Sequence, residues 1–332
     1  MRRRGDRSQV LRRSVQAGFL LLNLWIGAQF YVFVRYYETG GATGFASRPP
    51  GVEGYLPIAG LMNLKYLVST GEIPALHPAA LVLLVAFLTI AFVFRKAFCS
   101  WLCPVGTVSE WLWQGGREIF KRNVALPRLV DIPLRGLKYL LLAFFLWAVI
   151  GMPAAAIQAF METPYGVIAD VKMLNFFRHL GQVGAIVILV LVVLSVLVKN
   201  AWCRYLCPYG ALLGLFSVLS PVAIRRKPDA CIDCAKCAKA CPSLLPVDRL
   251  TRVTSAECTG CLECVAACPA AGALDLEVAG RPVAARAVAW GLAAVFAGFV
   301  GAAMATGHWH SPVPDHLYRD LIPRASSFDH PR

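Results

Sequence analysis

Five stretches of this chain run about twenty residues each without one Asp, Glu, Lys or Arg: residues 14–34, 73–94, 139–161, 180–198 and 287–307. A helix rises 1.5 Å per residue, so about 20 apolar residues cross the ~30 Å hydrocarbon core of a bilayer. The pattern predicts five transmembrane helices, the fourth the shortest and the least tilted. Between the first two, residues 38–72 form a loop whose apolar middle, 55–64, suits the membrane interface. A second loop, 162–178, lies on the same side. Residues 308–332 read as a polar, proline-rich tail with little structure of its own.

Composition agrees with a membrane protein. Of 332 residues, 58% are hydrophobic and 16% charged, against about 25% charged in soluble proteins. The net charge of +14 is distributed unevenly. With the N-terminus inside, five spans leave residues 1–13, 95–138 and 199–286 in the cytoplasm, and these hold 6, 8 and 11 of the 33 Lys+Arg. Positive charge collects inside, which sets the orientation. The basic excess therefore orients the chain, and no stacking-aromatic or groove-reading motif points to nucleic acid. Arg12 and Arg13 before an apolar run resemble a twin-arginine export signal. That run is too long for a signal core and has no clear small-residue cleavage site, so 14–34 is read as a retained span.

All twelve cysteines fall on the cytoplasmic side of this topology. Disulfides are rare there, whereas thiolate-bound iron persists. Eight of them make CIDCAKCAKACP from residue 231 and CTGCLECVAACP from residue 258, which is C-x2-C-x2-C-x3-C-P written twice. Three close cysteines loop around one [4Fe–4S] cluster, while the fourth reaches the other cluster. The expected ligand sets are Cys231, Cys234, Cys237 and Cys268 for the first, and Cys241, Cys258, Cys261 and Cys264 for the second. Pro242 and Pro269 turn the chain away after each remote ligand. CxxC pairs also raise two structural zinc sites, but two complete four-cysteine runs, each closed by proline, favour iron–sulfur clusters and hence electron transfer.

The other four cysteines belong to an internal repeat. FRKAFCSWLCPVG (residues 94–106) and VKNAWCRYLCPYG (198–210) align at an offset of 104. Each closes an even-numbered span, so spans 1–2 and 3–4 read as parallel hairpin repeats about a pseudo-two-fold axis along the membrane normal. Short interfacial helices are expected after each, around Trp111, Trp113 and Phe216. Positions i and i+4 share a helix face, so Cys99, Cys103, Cys203 and Cys207 can converge on the axis as a third redox or cluster site. The alternative is that these are packed structural thiols. His77 and His179 stand near the outer ends of spans 2 and 4, as haem ligands or as ordinary interfacial histidines. His308 and His310 flank Trp309, as an interfacial anchor or a metal site. Glu162, Asp170 and Lys172 are the candidate polar groups of a quinone site, against a reading as solvated loop charges.

Taken together, the paired C-x3-C-P motifs in a four-span core and the double cluster module resemble the membrane polyferredoxins of the NapH and NosR type, over roughly residues 14–275. The segment PYGVIADVKM (164–173) is similar to the outer loop of the stand-alone electron-transport members. The resemblance implies electron transfer between the quinone pool and a periplasmic or cytoplasmic redox protein, in the bacterial inner membrane. The large periplasmic flavin domain of NosR and the immunoglobulin-like domain of copper-oxidase assembly relatives have no counterpart in these 332 residues.

The expected fold is an all-α multi-pass membrane bundle with an inserted α+β dicluster bacterial ferredoxin domain. Its parts are a basic cytoplasmic N-terminus (1–13), a four-helix membrane domain (14–228), the ferredoxin domain (229–275), a fifth span (284–307) and a periplasmic tail (308–332). The expected role is an electron carrier, or a subunit of a quinol dehydrogenase-type complex. The alternatives are a metal-reductase or assembly factor, as in copper delivery to a respiratory enzyme, and a redox-sensing regulator.

Overall fold

The structure, a computed structural model, describes residues 8–330; residues 1–7 of the basic N-terminal segment and residues 331–332 of the tail lie outside the described residues. The first helix, α1, runs Ser8–Glu38. After a 3-10 turn (Pro50–Tyr55) come α2 (Pro57–Thr70), α3 (Pro78–Phe94), the short α4 (Ala97–Trp101) and α5 (Pro104–Phe120). The next run is α6 (Arg128–Gly151), α7 (Ala154–Glu162), α8 (Pro164–Val167), α9 (Ala169–Arg178) and α10 (Gln182–Leu197). A π turn at Trp202–Leu206 precedes α11 (Pro208–Val218). Then follow β1 (Val222–Arg226), α12 (Lys236–Ala240), β2 (Arg252–Val253), α13 (Glu263–Ala266), β3 (Leu274–Val278), β4 (Arg281–Pro282), α14 (Ala285–Ala305) and α15 (Asp315–Leu321).

Every expected span contains a helix, with altered bounds. Among the described residues, Ser8–Glu38, Leu129–Gly151 and Ala285–Ala305 are long and apolar enough to cross a membrane, and α9 with α10 adds a pair bent by 81°. The second stretch, 73–94, is helical only from Pro78, whose missing N–H and fixed φ suit a first helical position. The third, expected at 139–161, is displaced. It starts at Arg128 and stops at Gly151, because Pro153 cannot continue it and restricts Met152 before it. Its charged first turns escape a hydropathy reading because their charges are paired: Asp131 accepts from Arg135 at 2.6 Å and from Tyr205 at 2.6 Å, and Arg204 stands 2.5 Å from it as an ion pair.

The chain divides into two compact units, with the division falling inside α1, α3, α6, α10 and α14. The first comprises Met1–Leu21, Phe87–Leu142 and Val187–Val295. It holds all twelve cysteines and an antiparallel sheet in the order β2-β1-β3-β4. Strand residues alternate between faces. Val222, Ile224, Val253, Leu274 and Leu276 are buried on one, while Arg225 and Arg252 are exposed on the other. The sheet thus takes in strands on both sides of 229–275.

The second unit comprises Leu22–Ala86, Ala143–Ile186 and Phe296–Arg332. Here the tail departs from expectation. Tyr318, Leu321 and Ile322 recur at helical spacing and are buried with Phe33, Val34 and Tyr37 of α1 and with Val167, Ile168 and Val171. Phe33 meets Tyr318 edge-on at 5.2 Å, and the Tyr37 hydroxyl donates to Asp315 at 2.5 Å. Apolar residues at i, i+3 and i+4 inside an otherwise polar tail were the signal for that packing.

Candidate functional site

Both four-cysteine runs curl by the same means. Asp233 and Ala235 have φ of 50° and 54°, and the equivalent Gly260 and Leu262 have φ of 62° and 61°. Left-handed residues bend the chain around a concave centre, as in backbone nests. Glycine takes that conformation freely, whereas Asp, Ala and Leu are strained in it. Short helices α12 and α13 then carry the third cysteines, Cys237 and Cys264, and deliver the chain to Cys241-Pro242 and Cys268-Pro269.

Cys241, Cys258, Cys261 and Cys264 line one narrow cavity of about 20 Å³, walled by Ile224, Leu245, Val247, Val253 and Leu262. The remote Cys241 thus lines the same cavity as the cysteines of the second run. Burial pushes the Cys261 thiol up to about 12 against the opposing charge of Arg12, holds Cys264 well above the ordinary thiol range and raises Cys241. Thiols in an apolar pocket are inert as such, but a bound metal deprotonates its thiols, so this donor set fits an iron–sulfur cluster. Cys231 and Cys268 are half-buried and Cys234 is exposed; burial raises Cys237, and the Cys268 thiol adds to the rise. Among the described residues no three His, Cys, Asp or Glu side chains already stand at metal-ligand distance.

The C-x3-C-P cysteines form a second constellation. Cys103 and Cys207 are the N-caps of α5 and α11, with proline at the first helical position of each. Their thiols accept from the Gly106 and Gly210 N–H groups at 3.5 and 3.2 Å. Thiolates are favoured at such helix starts. A Cβ on Gly106 would lie 2.1 Å from the Cys99 carbonyl oxygen, so only glycine fits there. Burial raises the Cys203 thiol, and Cys207, Cys103 and Cys99 add to the rise. Buried Lys96 opposes the rise at Cys99, Cys203 and Cys207.

The two constellations meet through a loop. Ser100 Oγ, beside Cys99, donates to the Thr259 carbonyl at 2.6 Å, and Trp101 Nε1 donates to the Gly260 carbonyl at 3.1 Å. Gly260 packs so closely that an added Cβ would lie 3.3 Å from the Phe94 carbonyl oxygen. The start of α1 braces the same loop: Gln9 donates to the Cys261 carbonyl at 3.0 Å, and fully buried Arg12 reaches Glu110 at 2.6 Å and Glu263 at 2.8 Å. Arg12 is thus an internal clamp. Lys138, also fully buried, donates to both oxygens of Glu257 at 2.6 Å, one residue before Cys258. Burial would raise Glu257, but Lys96 and Lys138 hold it below the usual carboxylate range. Sequence reading missed these clamps; lone charges at the edge of apolar runs and glutamates beside ligand cysteines were their signal.

The remaining candidates lie in the second unit. Asp170, 1% exposed, binds Arg48 at 2.7 Å, and Arg48 also binds buried Glu53 at 2.8 Å. Burial would raise Glu53, but His77 and Arg48 bring it down to about 2. His77 Nε2 bonds the Gly166 carbonyl at 2.8 Å and Nδ1 stands 3.4 Å from Glu53. Nε2 is taken by that backbone carbonyl and Nδ1 faces the buried Glu53 carboxylate, and His179 is exposed. Lys172 donates to the Ala325 and Phe328 carbonyls at 2.7 Å. Asp170 and Lys172 are therefore partnered scaffold groups, whereas Glu162 is exposed and accepts from Gln158. His308 and His310 flank buried Trp309.

Comparison with known proteins places these features. A family model described as a 4Fe-4S binding domain matches residues 76–127 and 180–227, each covering one C-x3-C-P motif. Another, a 4Fe-4S dicluster domain, matches residues 223–269. No solved structure matches. The ferredoxin-type protein NapH of Escherichia coli is 27% identical over 70% of this chain and 74% of its own length. The regulatory protein NosR of Pseudomonas aeruginosa is 29% identical over 44% of this chain, a match spanning 20% of NosR. The putative electron transport protein YccM of Escherichia coli is 51% identical over 96% of this chain and 91% of its own length. On that identity and coverage, the chain belongs to the YccM family of iron–sulfur electron-transport proteins, with NapH and NosR as more distant relatives.

Proposed function

We propose that this protein passes electrons between the membrane quinone pool and a redox protein. Cys231, Cys234, Cys237 and Cys268 hold one [4Fe–4S] cluster, and Cys241, Cys258, Cys261 and Cys264 hold the second. Cys99, Cys103, Cys203 and Cys207 form a third redox site. Each cluster, when bound, supplies a one-electron site whose potential is tuned by hydrogen bonds, charge and solvent exposure. The observation that carries the reading is the docking of the Thr259–Gly260 backbone on Ser100 and Trp101. It ties a loop ending in Cys261 to a helix carrying Cys99, so both redox sites share one rigid support. Arg12, Gln9 and Lys138 hold that support from neighbouring helices and compensate its charges.

Five spans set the topology, α3 included, since its 17 residues cover about 25 Å. The N-terminus and the cluster module lie on the cytoplasmic side, on the strength of the charge asymmetry. Iron and acid-labile sulfide analysis of protein purified without oxygen tests the reading. The expected content is about eight iron atoms per chain, or about twelve with a cubane at the third site. Oxidation of added quinol should bleach the visible absorbance. A colourless, zinc-only preparation overturns the electron-transfer reading.

A further inference from the structure

Ile224 and Val253, opposite one another in β1 and β2, wall the cavity of the second thiol set. On the other face of the same strands Arg225 stands directly across from Arg252. Like charges in that position destabilise an antiparallel pair. Asp275, across from Arg225 in β3, offsets only part of this charge, and exposed Lys227 adds to it. Arg225, Lys227 and Arg252, with Arg226, Asp229 and Thr251, line an open groove of about 430 Å³.

Glu277 closes the groove floor at 4% exposure, its Oε1 without a hydrogen-bond partner and 3.5 Å from Lys227 Nζ. An anionic floor repels a phosphate small enough to enter, so the groove is no pocket for small anions. The cations stand at the rim, where carboxylates of a larger body reach them. The groove ends at Ala230, and the next residues are Cys231, Ile232 (64% exposed), Asp233, whose charge is paired with Arg226 at 3.7 Å, and exposed Cys234. The two cluster loops therefore differ in access. Cys241, Cys258 and Cys264 of the second set are buried, whereas the first set opens to the surface beside the basic rim.

We propose that the groove rim (Arg225, Lys227 and Arg252) and the loop 231–234 are the docking surface of a soluble acidic protein that carries one electron. The electron passes directly between that carrier and the first cluster; one partner is oxidised as the other is reduced, and no bond or proton moves. Transfer rests on the function proposed above, but docking does not. A lipid surface also attracts cations, yet it accepts no electron and gives no reason for an exposed cluster ligand at the rim.

The test uses the full-length, cluster-loaded protein in detergent and flavodoxin as the acidic carrier. Equilibrium binding of oxidised flavodoxin should weaken at least tenfold between low and high salt, because opposed surface charges are screened. The triple variant Arg225→Gln/Lys227→Gln/Arg252→Gln, and the single reversal Arg252→Glu, should weaken it by a similar factor at low salt. Both variants should keep the native iron content and the native rate of exchange with methyl viologen. Unchanged flavodoxin binding in both variants overturns the docking surface. So does a variant that loses only its binding to phosphatidylglycerol vesicles, since that assigns the rim to lipid. Native protein that binds flavodoxin but exchanges no electron with either carrier leaves the docking surface standing and overturns the electron-transfer reading instead.

Discussion

The two four-cysteine runs share spacing, left-handed residues and a following short helix, but their surroundings differ. The run from Cys258 is pinned by Gln9, Arg12, Ser100 and Trp101 and is preceded by the clamped Glu257. The run from Cys231 keeps an exposed Cys234 and Ile232, and its nearest ion pair, Arg226 with Asp233, is 3.7 Å long with Asp233 82% exposed. Local geometry makes two similar loops; tertiary packing braces one and leaves the other open to the surface.

The comparison breaks first at the ligands. Cys264→Ser should remove the second cluster and collapse the module, since metal binding and folding are coupled in small metal domains. Cys234→Ser should remove only the first cluster, leaving about four fewer iron atoms in protein of near-normal yield. Iron per chain and yield, measured together, decide it. Equal yields from the two variants would erase the proposed asymmetry.

The third site gives the next largest effect. Cys99→Ala, Cys103→Ala, Cys203→Ala and Cys207→Ala, made singly, should each abolish quinol-dependent reduction while the eight module cysteines keep their iron. A purely structural role predicts yields that fall with packing damage and normal turnover in whatever folds. Normal electron flow in all four variants removes the redox role of these thiols.

How legible all this was follows from the length scale of each signal. Cysteine spacing is local, so both runs and the C-x3-C-P repeat could be read directly. Span bounds depend on where proline and capping act, so Pro153 and Pro78 moved two of them. The clamps were invisible because they join Arg12 to Glu110 and Glu263 across the sequence. No window of sequence contains both members. The same holds for Asp170 and Arg48, 122 residues apart, where a supposed loop carboxylate proved to be a buried ion-pair member.

Those clamps supply a third contrast. Arg12→Met leaves Glu110 and Glu263 without their shared cation, and breaking a buried pair costs about 3–5 kcal/mol. Thermal unfolding in detergent should show a large drop, and the second cluster should be lost first on mild heating. Arg226→Ala breaks the 3.7 Å pair with exposed Asp233, worth about 0–1 kcal/mol, and a long 3.4 Å hydrogen bond to the Leu250 carbonyl. Similar losses from the two variants would mean that the second loop is not held by its buried ion pairs.

The smallest effect concerns the left-handed residues. Ala235 and Leu262 occupy equivalent positions at φ of 54° and 61°. The left-handed conformation costs a non-glycine residue about 1–2 kcal/mol. Glycine relieves that strain but loses about 0.5–1 kcal/mol to its greater unfolded freedom. Ala235→Gly, half-buried and losing one methyl group, should therefore be neutral or stabilising by less than about 1 kcal/mol. Leu262→Gly gains the same backbone relief but also removes a side chain that is 3% exposed in the wall of the thiol cavity. That loss costs about as much as a buried Leu→Ala change, 2–5 kcal/mol, so the net effect is destabilising. Opposite signs at two equivalent positions separate backbone geometry, which the runs share, from packing, which they do not. Matching signs in thermal unfolding would show that the second loop's burial contributes nothing beyond the local turn.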